Sequence, residues 1–449
     1  MKRELYQKMF KGKKITIMGL GVLGRGLQIT KFMASCGAKI TVTDLKNKKD
    51  LAVSLKSLRG YKIRYVLGKH DLRDFENVDL LVKSAGVPLE SEYIFRARSV
   101  NIPVVMDASL FAEIVKNTDP KIKIVGITGT RGKSMTTALI YHILKDNESN
   151  LKCKVYLGGN MRMKATLPIL YDVEPGDIVV LELDSWQCQG FGDGKISPDI
   201  SVFTNLMPDH MNYYKGNMKQ YLNDKSNIYK FQTKQNVFIT SKEVLKILPI
   251  KPKGKVILPD SHQVSKIKMN IFGTHNIQNA TYAYSAVKQF KLSERQIRKS
   301  FKSFSGLEGR LQPLANIKGA KIINDNNATT PEATTAGINA VHSKYKKSDI
   351  ILICGGSDKN LELKNLADSA KKYCKEAVLL PGTGTGRLKP LLKVKWSETP
   401  TLKLAVKKAV KLSKKNDVIL FSPGFASFGL FKNEYDRNDQ LIEIVKKWK

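Results

Sequence analysis

The sequence predicts an α/β protein of three domains, each built on a mostly parallel sheet. Three observations predict it. The chain has 449 residues, enough for about three domains of ~150 residues each. Short apolar or β-branched runs alternate with amphipathic stretches along the whole length, as parallel βαβ units do. Two of these runs lead straight into glycine-rich turns that open helices, the arrangement that receives phosphates at strand ends.

The first domain, residues 1–118, has strands predicted at Ile15–Met18, Lys39–Thr43, Leu80–Lys83 and Val104–Met106. Gly19-Leu-Gly-Val-Leu-Gly24 follows the first, and Asp44 ends the second, twenty positions after Gly24. Glycines allow a tight turn and close approach to a diphosphate, and a later acid suits a ribose hydroxyl, so the domain reads as Rossmann-like. No His or Tyr arrangement for hydride transfer accompanies it. The stretch Asn117–Lys121, with Pro120, reads as a linker.

The second domain, residues 119–309, is predicted as a P-loop ATPase with a mostly parallel sheet. Its opening segment, KIVGITGTRGKSMTT over Lys123–Thr137, runs an apolar strand into Gly129, Gly132 and Lys133–Ser134 at a helix start. The glycines admit an anion to the backbone, the helix start offers unpaired N–H groups, Lys133 adds a point charge, and Ser134 suits magnesium. The spacing is G-x-x-G-x-x-G-K-S from Gly126, tighter than the usual P-loop. Further strands are predicted at Ile178–Leu183 and Ile200–Thr204. Glu182 near the end of the former suits a second magnesium contact. After the latter, Asp209-His-Met-Asn212 presents His210 at the same sheet edge. His275, Asn276 and Asn279 share one helical face, which suits hydrogen bonding to a base.

The third domain, residues 310–449, is predicted to be Rossmann-like again. Strands are expected at Lys321–Asn324, Ile350–Cys354, Ala377–Leu380 and Val418–Phe421, separated by helical patterns such as Pro331–His342 and Thr401–Lys414.

The formal charge is +36, from 76 Lys+Arg against 40 Asp+Glu. A nucleic-acid partner is not favoured. The excess is lysine spread along helical faces such as Lys364–Lys375 and Lys403–Lys415, with no arginine cluster. Such a surface still steers small anions inward. Five scattered cysteines give neither a disulfide framework nor a metal spacing, which fits a reducing compartment. No apolar run approaches ~18 residues, and the glycines after Met1–Lys14 interrupt any signal peptide. No membrane insertion, a cytoplasmic location and a monomer are expected.

Taken in order, the motifs resemble those of the Mur ligases, ATP-dependent amide-bond enzymes of peptidoglycan precursor synthesis. The resemblance rests on Gly129-Thr-Arg-Gly-Lys-Ser134, Gly158-Gly-Asn160, Leu181-Glu-Leu183, Asp209-His-Met211, Lys225, His275-Asn276 with Asn279, and Gly306-Leu307 with Arg310. Ile323-Asn-Asp325, Ala328-Thr329, Gly355-Gly356 with Lys359, Ser422-Pro423, Ala426-Ser427 and Phe431-Lys-Asn433 extend it to the C-terminal region. The resemblance implies UDP-N-acetylmuramoyl-L-alanine and D-glutamate as substrates, with ATP and Mg2+. Gly21, Val22, Leu23, Asp44 and Gly86 would hold the UDP, and Asn160 the muramoyl-alanine end. Gly129, Thr130, Gly132, Lys133, Ser134, Asn276, Asn279, Arg310 and Asp325 would bind ATP. Lys133, Glu182, His210 and Lys225 would be catalytic. The metal contacts would come from Ser134, Glu182, His210 and Lys225, the last as a carbamate. Thr329, Lys359 and Ser427 would grip the amino acid, and closure of a cleft between the second and third domains would accompany catalysis. Without that resemblance, Lys225 on an amphipathic helix reads as solvent-exposed. Departures from the family pattern are Asp184 and Trp186 for Ser and Phe, Gly309 for a His, Asn327 for a lysine, and Glu434 at an apolar position. Two other readings stay open: a sister ligase adding L-glutamate or another acidic amino acid, and a nucleotide- or nucleic-acid-binding module without ligase chemistry.

Overall fold

A computed structural model describes residues 2–88, 90–161, 164–267 and 269–448. The chain forms two compact units, Met1–Lys266 with Asn279–Ser300, and Ile267–Gln278 with Phe301–Lys449. Three sheets organise them, as the alternation of apolar runs and amphipathic stretches predicts.

The first unit holds two sheets. One contains β1 (Lys14–Met18), β2 (Lys39–Asp44), β3 (Ile63–Leu67), β4 (Leu80–Lys83) and β5 (Val104–Val105), in the order β3-β2-β1-β4-β5 with parallel pairs throughout. The other contains β6 (Lys123–Thr128), β7 (Val155–Gly159), β8 (Ile178–Glu182), β9 (Ile200–Phe203), β10 (Val237–Thr240) and β11 (Lys255–Ile257), in the order β11-β10-β9-β6-β8-β7, again parallel. The two sheets share one apolar core. Ile15, Phe32, Phe111, Ile114, Ile124 and Leu181 belong to the same buried cluster. The predicted linker Asn117–Lys121 instead begins in the last two residues of the helix Asp107–Thr118 and ends as a short turn, and that helix packs within the common core.

In the second unit, β12 (Gln312–Ile317), β13 (Ala320–Asn324), β14 (Ile350–Gly355), β15 (Cys374–Leu380), β16 (Trp396–Glu398) and β17 (Val418–Phe421) form a sheet ordered β12-β13-β17-β14-β15-β16. Only β12 runs antiparallel, and its ladder is irregular at Pro313, where a donor is missing. The helix expected at Pro331–His342 spans Pro331–Lys344, with Thr330 accepting the Ala333 N–H as its cap. The lysine-rich run expected to be helical to Lys375 stops at Tyr373, because Cys374 opens β15. Lys375 there pairs with Asp349 and Asp417. No described helix is long and apolar enough to cross a membrane.

Candidate active site

The strand β6 delivers its loop at the C-terminal edge of the sheet, flanked by β8 and β9. Gly129 has φ 141° and Gly132 φ 81°, both in the region that favours glycine. A Cβ at Gly129 would strike Thr204 Oγ1, and one at Gly132 would strike Asn279 Oδ1. Both positions therefore require glycine for space as well as for conformation. Lys133 begins the helix Lys133–Lys145, and its Nζ donates to the carbonyls of Gly129 (3.0 Å) and Thr130 (3.1 Å). Its ammonium is thereby held over the loop that would receive a phosphate, with Ser134 next on the helix.

Lys225 lies on the helix Met218–Lys230 and is 1% exposed, contrary to the solvent-facing reading its helix pattern suggests. Its Nζ donates to the Gly129 carbonyl at 2.8 Å, reaches Thr128 Oγ1 at 3.5 Å, and sits 4.8 Å from the centre of the Tyr221 ring one turn earlier. Burial, reinforced by the charge of Lys133, lowers its pKa to about 7. Glu182 ends β8 opposite Ile127 and is buried. Its carbonyl accepts the Asn160 N–H at 2.7 Å, and Asn160 Oδ1 accepts from Arg25 at 2.9 Å. His210 adopts φ 55°, and its ring lies 4.6 Å from that of Trp186. Burial lowers the His210 pKa, opposed by the charge of Asp209 and reinforced by Lys133 and Lys225. The phosphate loop, Glu182, Asn160, His210, Lys225 and Asn279 thus gather around the ends of four neighbouring strands.

At the glycine turn of the first sheet, Asp44 Oδ2 accepts from the Gly21 N–H and Oδ1 from the Lys46 N–H, both at 2.8 Å. Asp44 therefore shapes two adjoining turns. Val22 and Leu23 are exposed at the tip. The turn containing Gly86 is braced by Lys83, whose Nζ donates to the Val87 carbonyl at 2.9 Å.

In the second unit, Lys359 Nζ donates to Thr329 Oγ1 at 3.2 Å. Ser357 and Ala426 exchange backbone hydrogen bonds of 3.0 and 3.1 Å, which brings Ser427 to the same place. Asp325 is buried, accepts from Ser422 Oγ (2.9 Å) and the Leu311 N–H (3.2 Å), and has its pKa raised to about 7 by burial. Arg310 acts on it electrostatically and is exposed. Asn276 is buried, and its Nδ2 donates to the Phe272 carbonyl at 2.8 Å.

Three family models match: a Mur ligase MurD-like N-terminal domain over residues 13–106, a Mur ligase middle domain over 127–255, and a Mur ligase glutamate ligase domain over 309–425. A UDP-N-acetylmuramoylalanine--D-glutamate ligase of Borreliella burgdorferi (strain ZS7) is 33% identical, covering 97% of this chain and 98% of that protein. The chain belongs to the Mur ligase family. Another relative of the same printed name, from Roseiflexus sp. (strain RS-1), is 30% identical over 97% of this chain and 99% of its own length. Among solved structures, the Mur ligase fold is matched by UDP-N-acetylmuramate-alanine ligase MurC of Thermotoga maritima, with TM-score 0.62, 19% identity and coverage of 97% and 100%. MurF ligase of Thermotoga maritima, in complex with ADP, matches with TM-score 0.59, 16% identity and coverage of 98% and 96%.

For a Mur ligase the donor set fits magnesium. Ser134 and Glu182 offer hard oxygens beside a loop whose Gly129 and Gly132 bring the backbone close against Thr204 and Asn279. Among the described residues no three His, Cys, Asp or Glu side chains gather as a metal centre. Such a site suits an ion that takes most of its ligands from phosphate and water.

Several contributors were not legible in the sequence. Tyr221 lies beneath Lys225 at the helical spacing of four, Arg25 reaches Asn160 from the helix Arg25–Ser35, and Trp186 packs on His210. The one local signal was Arg25, placed immediately after Gly24. The departure at Asp184 has a clear role: it caps the helix Ser185–Asp193, accepting the Gln187 N–H at 2.7 Å.

Proposed function

We propose that this Mur ligase joins the amine of D-glutamate to the alanine carboxylate of UDP-N-acetylmuramoyl-L-alanine, with ATP converted to ADP and phosphate. The three sheets are taken as three domains, 1–118, 119–309 and 310–449. These would handle the UDP precursor, ATP and the amino acid respectively. The enzyme acts as a monomer in the cytoplasm, where nucleotide-linked precursors and ATP are found.

The observation that carries this reading is Lys225. A buried amine with a pKa near 7 is substantially unprotonated at neutral pH and nucleophilic. Addition of the unprotonated Nζ to carbon dioxide forms an N–C bond and releases one proton, turning the buried neutral amine into a carbamate anion beside the phosphate loop. That anion, Glu182, Ser134 and His210 would hold magnesium, which neutralises charge on the transferring phosphoryl group.

The remaining chemistry is positioning. Lys133, poised over the loop carbonyls, swings to the phosphate oxygens. The backbone of Gly129–Gly132 lines the β- and γ-phosphates, and Asn279 abuts Gly132. The alanine carboxylate, set near Asn160 and His210, attacks the γ-phosphorus. ADP leaves, and an acyl phosphate forms. The glutamate amine then attacks the acyl carbon, and phosphate leaves as the amide forms and the amine proton is lost. Thr329, Lys359 and Ser427 hold the glutamate carboxylates by charge-assisted hydrogen bonds.

The test is to combine ATP, magnesium, UDP-N-acetylmuramoyl-L-alanine and D-glutamate and to weigh the product. An acceptor heavier by one glutamyl residue is expected. Turnover with L-glutamate and none with D-glutamate would transfer the assignment to a sister ligase. Absence of acceptor-dependent ADP release with every amino acid would remove the ligase reading.

A further inference from the structure

The amino-acid loops of the second unit rest on a buried arginine that the ligation scheme does not use. Arg437, on the helix Glu434–Lys446, is 0% exposed and heads the fully buried side chains by volume. Its Nε donates to Asn326 Oδ1 at 2.8 Å, its Nη2 to the Asn326 carbonyl at 2.9 Å, and its Nη1 to the Phe425 carbonyl at 3.2 Å. All three acceptors are neutral. Among the described residues Arg437 makes no ion pair, and Glu434 acts on it only electrostatically. Burial draws its pKa down to about 10, which leaves it a cation at neutral pH.

The two loops it joins carry the amino-acid residues. Asn326 leads through Asn327 and Ala328 to Thr329, and Phe425 leads through Ala426 to Ser427. A second tie, from the Gly424 N–H to the Ala328 carbonyl at 2.8 Å, spans the same pair of loops. Asn326 Nδ2 also donates to the Glu434 carbonyl at 2.9 Å, fixing the amide that receives the guanidinium. A planar fork bonded to two segments sets their separation more rigidly than a single ammonium could. A desolvated cation with only neutral acceptors is unfavourable until an anion approaches.

We propose that Arg437 is a positioning residue for the acidic amino-acid substrate: its fork sets the spacing of the Thr329 and Ser427 loops, and its buried charge adds to the attraction Lys359 exerts on the substrate carboxylates. This rests on the amino-acid site proposed above. Substitution therefore acts on that substrate selectively.

The full-length enzyme is compared with its Arg437→Met, Arg437→Lys and Arg437→Ala variants, measuring KM separately for D-glutamate, ATP and the UDP-linked acceptor, with thermal melting as a fold check. Met and Lys are expected to raise the D-glutamate KM by about tenfold or more while the other two stay within about twofold. Guanidinium ion added to Arg437→Ala is expected to lower the D-glutamate KM again. If Met does not fold, Lys decides, since it keeps the charge and can reach only one loop. A parallel loss for all three substrates without guanidinium rescue, or an unchanged D-glutamate KM, overturns the inference. Lys359→Ala separates the two levels. If it raises the D-glutamate KM and the Arg437 variants do not, only the role of Arg437 falls. If it leaves that KM unchanged, the amino-acid site itself is misplaced.

Discussion

At the residue scale, the informative side chains are buried ionisable groups whose charge is unfavourable in the fold. Lys225 is held at a pKa of about 7, well below the ordinary lysine value of 10.5. The unfolded chain thus binds a proton that the folded one has lost between about pH 7 and 10, so stability rises with pH across that window. Lys225→Met keeps the volume and removes the charge. It should abolish ligation, by about a hundredfold or more, while holding or raising the melting temperature and flattening that pH dependence. A variant that melts lower and keeps activity would refute the role. Asp325 titrates in the opposite sense. Its folded pKa of about 7 lies above its unfolded value of 3.8, so its contribution is fully present below about pH 4 and is lost as pH rises towards 7. Asp325→Asn should be relatively more stable at pH 8 than at pH 4, measured by denaturant titration at both. The glycines, Lys133 and Ser134 were legible because their residue types are themselves the chemistry. The burial of Lys225 was not, because Asp224, Ser226 and Asn227 beside it are also polar and buried, so the helix pattern hides which face meets the sheet.

At the element scale, legibility followed position in the sheet. The central strands β1, β4, β6, β8, β9, β14 and β17 are apolar runs buried on both faces, and the sequence pattern finds them. Of the edges only β5 was found, and the interior β10 was missed with the others. β3 carries exposed Arg64 and Tyr65, β7 ends in Gly158-Gly159, and β16 has only three residues, so none has a continuous hydrophobic signature. The most demanding element is the strand–loop–helix from β6 into Lys133–Lys145. Gly132 combines a left-handed backbone with contact against Asn279, so Gly132→Ala adds both strain and a clash. A loss of about 1–3 kcal/mol in unfolding free energy is expected, together with at least a tenfold rise in KM for ATP, by about the loss of one well-placed phosphate contact. Calorimetry and ATP titration of the same preparation check both. Unchanged ATP affinity would mean that the loop does not cradle phosphate.

At the scale of the whole molecule, the charge of +36 remains to be accounted for. Some of the basic side chains are locally engaged, although each ion pair cancels one charge of either sign and leaves the excess untouched. Lys145 pairs with Glu148, Lys375 with Asp349 and Asp417, Lys389 with Glu398, and Lys447 with Glu443, and Lys372 lies 5.0 Å from the centre of the Tyr373 ring. The unpaired remainder still produces a positive field, and both ATP and a UDP-linked acceptor are anions that such a field draws in. The Debye length shrinks to about 10 Å near 0.1 M salt, so steering is screened while the chemistry within the site is not. Raising the salt from about 20 to about 200 mM should therefore lower kcat/KM for the acceptor severalfold and leave kcat unchanged. Uncharged sucrose at equal viscosity should produce no such selectivity. A polynucleotide surface would behave differently. It would release many counterions at once and retain duplex DNA with a salt slope equal to several phosphate contacts. A shallow acceptor slope with no retained DNA at about 150 mM salt identifies the basic surface as a funnel for small anions, whereas steep DNA retention would restore the nucleic-acid reading that the scattered lysines argue against.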